Sequence, residues 1–268
     1  MEQYTTLLTP RTKIVATGMS SNAVGTINPS KEIVRLAHEV GALTVLDAVC
    51  STPHYPVDVQ ALDTDFLLCS PYKFYGPHAG LLFGRLELLE RYGRYKVRPA
   101  HDQWETGTPS FEGMAGVTAA IDYLAWIGEE FGSVTDAAPL TGRRGAIRAG
   151  IRAIGRHERA ITTQLLDGLE AIPGVTVRGI TDRDRLDERT SIVSFTATFA
   201  QPDVIQRALG ALGIQTWSGD FYAVNAIESL GLTESGGTVR IGLMSYNTAA
   251  EVDRVVHAVR AMSGAAST

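Results

Sequence analysis

Short, unbroken apolar runs alternate with amphipathic stretches through the first half of the chain. Lys13–Thr17 (KIVAT), Leu43–Ala48, Phe66–Ser70 and Gly80–Arg85 have the β-branched and large apolar content of strands buried on both faces. Between the first two, Pro29 to Val40 sets Ile33, Leu36, Ala37 and Val40 on one helical face, with Pro29 at an early position and Gly41 as the stop. A short helical turn is expected around Val57–Leu62, after a loop holding Pro53 and Pro56. Strands alternating with helices predict an α/β architecture with a parallel or mixed sheet. Thr108-Pro109-Ser110 opens a helix running to about Gly128, with Thr108 as N-cap and Pro109 in the first helical position.

The stretch from Gly128 to Gly142 reads as the domain boundary, giving a large domain over 1–135 and a smaller α+β domain over 136–268. The second half begins with a long helix from about Arg143 to Ala171, ended by Pro173-Gly174. Strands Val175–Arg178 and Ser191–Thr196, helix Asp203–Leu212, strands Ile214–Trp217 and Thr238–Leu243, and helix Ala249–Met262 follow.

Composition narrows the function classes. With 24 Lys and Arg against 29 Asp and Glu, the net charge of −5 offers no general basic field for nucleic acid or an anionic membrane. Cys50 and Cys69 are the two cysteines; they form no disulfide framework and no metal-ligand spacing, which points to a reducing cytoplasm and to no metal. Neither a signal peptide nor a membrane span is read from the pattern. No G-x-G-x-x-G follows a strand, so a nicotinamide-binding Rossmann domain is not expected.

The candidate chemistry lies in Ser70-Pro71-Tyr72-Lys73-Phe74-Tyr75-Gly76 and in Asp47, which ends the apolar run Leu43-Thr44-Val45-Leu46. Either residue alone is an ordinary surface group. Together, a lysine amine and a strand-end carboxylate suit pyridoxal phosphate (PLP), an electron sink that a lysine holds as an imine and a carboxylate keeps protonated at the ring nitrogen.

Four stretches, in order and spacing, carry a resemblance. Ser21-Asn22-Ala23-Val24-Gly25-Thr26-Ile27-Asn28-Pro29, the Asp47 strand with Pro56-Val57-Asp58-Val59-Gln60, the Ser70–Gly80 segment, and Thr106-Gly107-Thr108-Pro109 together resemble the class-V aminotransferases, in particular their cysteine-desulfurase-like branch. The resemblance covers essentially the whole chain. It implies a PLP-dependent transferase of fold type I, a homodimer, and an amino-acid substrate. It implies that Lys73 bonds the cofactor and moves the substrate's α-proton, that Asp47 pairs with the ring nitrogen, and that Ser70 and Tyr72 contact the cofactor. Asn22 would approach the cofactor's phenolic oxygen and the substrate carboxylate, Thr108 the phosphate of the other subunit's cofactor, and Arg240 the substrate's α-carboxylate. Turn, Asx-turn and N-cap duties remain the plainer readings of Ser70, Asn22 and Thr108.

Two departures bear on activity. Cys50 stands where relatives carry a Gln or His donor, and reads as a small buried hydrophobe. Desulfurases place a nucleophilic cysteine before the carboxylate arginine, but Trp217 to Val239 contains none, so ordinary cysteine desulfuration is not expected. The family's Asn22-like loop also comes late in its chains. The expectation is therefore an N-terminally truncated enzyme, the C-terminal two-thirds, lacking the Gly/Thr phosphate loop and the ring-stacking residue. Such a sheet edge would make the isolated chain aggregation-prone or dependent on a covering partner. The alternative is a catalytically inactive homologue acting as a subunit or binding module. Its feature would be Arg144, Arg148, Arg152 and Arg156, every fourth residue, with Arg143 and Arg159 nearby; a solvated helix face is the plainer reading.

Overall fold

The computed structural model describes residues 1–92, 104–105 and 107–265, so Thr106 of the fourth motif lies outside the described residues. The chain forms two compact units: Met1–Met19 with Pro29–Arg152, and Ser20–Asn28 with Ala153 onward.

The first unit opens with helix α1 (Glu2–Leu7), followed by strand β1 (Ile14–Gly18), helix α2 (Ser30–Glu39), strand β2 (Leu43–Asp47), helix α3 (Val59–Leu62), strand β3 (Phe66–Cys69), strand β4 (Leu81–Gly84) and helix α4 (Leu86–Arg91). The sheet order is β1-β2-β3-β4, with β1, β2 and β3 parallel and β4 antiparallel. This is the mixed sheet the alternation predicts. One face packs Val34 of α2 against Leu46, Ala48 and Leu67, with Met19, Tyr55, Val57, Val59 and Leu62 around them. The other face carries Ile14, Leu68 and Leu82, all exposed.

A buried polar lock ties α2 to the sheet. The Asp65 carboxylate accepts from the Thr44 amide (2.7 Å) and hydroxyl (2.9 Å), and lies 2.8 Å from His38 Nε2. Burial alone pushes Asp65 up, but the bonds from His38 and Thr44 together hold it below the usual carboxylate range.

Helix α5 (Phe111–Phe131), helix α6 (Val134–Ala137) and the first turns of helix α7 (Gly142–Glu170) complete this unit. The expected cap is corrected: Ser110, not Thr108, is the N-cap of α5, its hydroxyl accepting from Gly113 N–H at 3.2 Å, and Pro109 precedes the helix. A serine hydroxyl three residues ahead of a free amide satisfies that donor, whereas Thr108 sits too far upstream to do so. Gly128 is likewise inside α5 and not in a linker. A β-carbon there would lie 1.8 Å from the Ala146 carbonyl oxygen, and one at Gly150 2.0 Å from that of Leu124, so α5 and α7 meet backbone to backbone. The packing units part at Arg152 and Ala153, within α7, while the sequence reading divides the chain at 135/136.

Of the expected arginine stripe and its two neighbours, at least three residues have internal partners. Arg143 pairs with Asp122, Arg152 donates to the Thr135 and Asp136 carbonyls, and Arg159 pairs with Asp187.

The second unit contains the rest of α7, strand β5 (Val175–Arg178), strand β6 (Ile192–Ala197), helix α8 (Pro202–Ala211), strand β7 (Trp217–Gly219), helix α9 (Val224–Ser229), strand β8 (Thr238–Gly242) and helix α10 (Ala249–Ala265). Its sheet is antiparallel, in the order β5-β6-β8-β7. Val193, Phe195, Val239 and Ile241 point into a core shared with Leu165, Leu166 and Leu169 of α7, Ile205 and Leu209 of α8, and Val252 and Val259 of α10. Period-2 alternation then turns Ser194 and Arg240 to the opposite face. Strand β7 begins at Trp217, where the expected strand Ile214–Trp217 ends.

Candidate functional site

In the first unit, Asp47 ends the central strand β2, flanked on both sides by parallel neighbours: Met19 N–H donates to its carbonyl (2.8 Å), and Ala48 N–H donates to Leu68 of β3 (2.8 Å). Open α/β sheets bind ligands beyond the carboxyl ends of such strands. The Asp47 side chain is exposed, and its Oδ1 accepts from the Val49 amide at 2.8 Å.

The neighbouring strand β3 runs straight into a 3₁₀ turn, Pro71–Phe74, which carries Lys73. Ser70 is the N-cap of this turn but makes no side-chain capping bond, so the plain capping reading is not the one realised. Pro71 presets the turn, and Tyr75 closes it in the left-handed region at φ 70°. Lys73 is exposed, its Nζ 5.1 Å from the centre of the Tyr72 ring, and Tyr72 stacks on His78 at 4.9 Å. Helix α5 buttresses the segment: Tyr75 meets Tyr123 edge-on at 5.3 Å, and Pro77 lies against Gly116. Thr108 is exposed in the connection leading to α5.

Cys50 is half-buried and not fully enclosed as expected, and Cys69 is half-buried too. Burial, and then the charge of Asp47, pushes the Cys69 thiol up, away from thiolate character.

The second unit brings Asn22 and Arg240 together. Arg240 lies mid-strand in β8, opposite Ser194 of β6 and Trp217 of β7. This cross-strand row faces the segment Ser20–Asn28: Arg240 Nη1 donates to the Asn22 carbonyl at 2.7 Å, and the Ser194 hydroxyl donates to the Ala23 carbonyl. Thr190 N–H donates to Gly25 (2.8 Å) and Ile27 N–H to Glu188 (2.8 Å), completing the attachment. Gly25 has φ +77°, and a β-carbon there would lie 2.5 Å from the Ile192 carbonyl oxygen, so glycine is required. Arg189 underlies this region, 6% exposed, donating to the carbonyls of Ile180, Thr190 and Ile192. Burial, then the Arg183 charge, lowers its pKa to about 10, which leaves it a cation at neutral pH.

Two further residues that the sequence reading did not assign stand at Arg240. Its guanidinium carbon is 4.4 Å from the Phe221 ring centre and 5.3 Å from that of Trp217, and the two rings meet at 79°. Asn22 Nδ2 donates to the Phe221 carbonyl at 2.8 Å. Phe221 (φ 56°) and Tyr222 (φ 61°) are consecutive non-glycine residues in the left-handed region, a strain of about 1–3 kcal/mol each. The signal the sequence carries for them is the aromatic and glycine content of Trp217-Ser218-Gly219-Asp220-Phe221-Tyr222.

The donors of the first unit fit PLP: a primary amine for the aldehyde, a carboxylate at an adjacent strand end for the ring nitrogen, and a Ser70 hydroxyl not engaged in capping. Among the described residues, no cluster of three or more His, Cys, Asp or Glu side chains could hold a metal ion, and no helix is long and apolar enough to cross a membrane.

A mixed α/β sheet with a lysine turn after β3, followed by an antiparallel α+β unit, is the arrangement of fold type I transferases. The family described as Aminotransferase class-V matches residues 1–133 and 146–255, and the chain belongs to it. Among curated relatives, a cysteine desulfurase of Synechococcus elongatus is 32% identical over 276 residues, covering 97% of this chain and 39% of the relative. The aminotransferase-like protein FGM3 of Gibberella zeae is 34% identical, covering 96% of this chain and 61% of the relative. Among solved structures, the apo cysteine desulfurase of Thermococcus onnurineus NA1 superposes with a TM-score of 0.78 at 26% identity, covering 94% of this chain and 60% of that one. The cysteine desulfurase CsdA of Escherichia coli gives 0.77 at 27% identity, covering 97% and 61%. The chain thus spans between about two-fifths and three-fifths of the length of these relatives.

Proposed function

We propose that this chain works as a PLP-dependent enzyme on an amino-acid substrate, as a homodimer in the cytoplasm, with residues 1–135 as the cofactor-binding domain and 136–268 as the small domain. The observation that carries the reading is the pair of adjacent parallel strands, one ending in Asp47 and the next turning directly into Ser70 and Lys73.

PLP supplies an electron sink that weakens bonds at the substrate's Cα. Lys73 holds the cofactor through its amine and afterwards takes and returns the α-proton at Nζ. Asp47 keeps a proton on the ring nitrogen through its carboxylate. Ser70 donates its hydroxyl to the phosphate, Tyr72 flanks the cofactor, and Thr108 reaches toward the phosphate bound by a second subunit. Arg240 receives the substrate carboxylate through a planar pair of N–H groups, with Asn22 beside it.

The reaction is transfer, elimination or epimerisation begun at Cα, not sulfur abstraction by a thiolate. Trp217 to Val239 has no cysteine, and the Cys69 thiol is held protonated by burial.

The test is cofactor trapping. The purified chain is incubated with PLP, reduced with borohydride, and digested, and the label is located by peptide mass. A single label on Lys73, lost in Lys73→Ala without a change in melting temperature, is expected. Label scattered over surface lysines, or retained in Lys73→Ala, refutes the assignment.

A further inference from the structure

We infer that Phe221 is a positioning residue that couples Asn22 to Arg240, building an aromatic corner with Trp217 that readies the guanidinium for an amino acid's carboxylate. This deepens the proposed function and rests on its assignment of Arg240.

The three residues close a ring of contacts. The Asn22 side chain donates to the Phe221 backbone, the Phe221 ring covers the Arg240 guanidinium, and the Arg240 side chain donates to the Asn22 backbone. Asn22 lies 199 positions from Phe221 and 218 from Arg240 along the chain. Phe221 is 4% exposed although it sits in a strained turn, while its neighbour Tyr222, at nearly the same φ, is 91% exposed. A turn that points one aromatic ring inward and the next outward is held by the Asn22 amide and the Arg240 face, since the backbone itself disfavours it.

The arrangement has two consequences for a carboxylate. Aromatic rings beside a guanidinium attract the cation and remove water from around it, and an ion pair formed in such drier surroundings is stronger than one in bulk water. Stacking also restricts rotation of the guanidinium plane, and a bidentate carboxylate needs that plane fixed. Trp217 contributes from the cross-strand position in β7, so the corner has one wall on a strand and one on the turn.

The probe is L-alanine, titrated into the chain without cofactor while the Arg240 Nε–H signal is followed by NMR, with acetate and ethylamine as its two halves. Wild type is expected to respond to L-alanine and acetate and not to ethylamine. Phe221→Leu keeps most of the apolar bulk but removes the aromatic face, and is expected to weaken L-alanine binding about fivefold at temperatures where the variant, with its lowered melting temperature, is still fully folded. Phe221→Tyr is expected to restore binding to within about twofold, since it restores the ring face. Tyr222→Ala, on the same strained turn but without these contacts, is expected to bind as wild type. Asn22→Ala and Phe221→Leu combined are expected to lose no more than the larger single effect, because the two act as one unit.

Wild-type affinity in Phe221→Leu, or simple additivity in the double variant, overturns the inference. If Arg240 does not respond to L-alanine while PLP still labels Lys73, the inference falls and the cofactor assignment stands. If PLP label scatters while the L-alanine series behaves as expected, the cofactor assignment falls and the corner stands as a carboxylate site.

Discussion

The groups proposed to hold the cofactor and those proposed to hold the substrate are built by opposite means. In the first unit, Asp47 is exposed at the end of β2 and Lys73 in the turn after β3, and their functional atoms make only local contacts, Asp47 to the Val49 amide and Lys73 to the Tyr72 ring. In the second, Asn22, Phe221 and Arg240 satisfy one another, and the segment that carries Asn22 is stitched to β6 and β8 by Ser194, Thr190 and Arg240. A residue whose partner comes from outside can change without disturbing the fold. One whose partners are internal is both part of the site and part of the structure. Sensitivity to mutation should therefore separate the two regions.

The largest contrast is expected at Gly25. Gly25→Ala adds a β-carbon 2.5 Å from a backbone oxygen at a φ of +77°, and is expected to cost about 3 kcal/mol or more in chemical denaturation. Asp47→Ala, at an exposed strand end, is expected to stay within about 0.5 kcal/mol. Equal losses would erase the distinction between the regions.

Next comes the lock beneath the first site. Asp65→Ala leaves His38 and Thr44 without their buried acceptor and is expected to cost about 3 kcal/mol. The pKa of Asp65 is depressed in the fold, so its contribution is present above the unfolded carboxylate pKa of about 3.9 and fades as pH falls through the folded value. Below that value the wild-type and variant stabilities should converge. A gap that persists in acid would mean that packing, and not charge, carries the effect.

The smallest contrast is at the start of α5. Ser110→Ala is expected to lose about 1 kcal/mol and Thr108→Ala almost nothing, since Ser110 alone caps the helix. Thr108 then remains available for a ligand role, and a comparable loss at Thr108 would instead make it structural.

Much of this was legible in the sequence because backbone periodicity determines it. The runs at Leu43 and Phe66, and the long helix near Arg143, fall within a residue or two of β2, β3 and α7. The charge-bearing residues were equally visible, because Asp47 and Arg240 sit at the end and middle of clear strand patterns and Lys73 follows the strand run Phe66–Ser70 through a Pro-marked turn. What stayed hidden was set by contacts remote in sequence. Phe221 gains its place from an amide 199 positions away, and its left-handed turn has no local signature apart from Gly219 and Asp220. The short helices α4 and α9 lack the length for a readable period, and Ser110 lost to Thr108 in the capping assignment because a Thr-Pro pair is the stronger local cue.

The crossing of α5 and α7 reaches further than its own stability. Gly128 and Gly150 form two facing notches, each receiving the other helix's backbone. Helix α5 also carries Tyr123 against Tyr75 and Gly116 against Pro77, just after the turn that presents Lys73. A single methyl group introduced at either notch would act as a shim, lifting α5 and with it the platform on which the lysine stands. The backing of the lysine turn thus depends on the absence of two side chains at positions remote from the lysine itself.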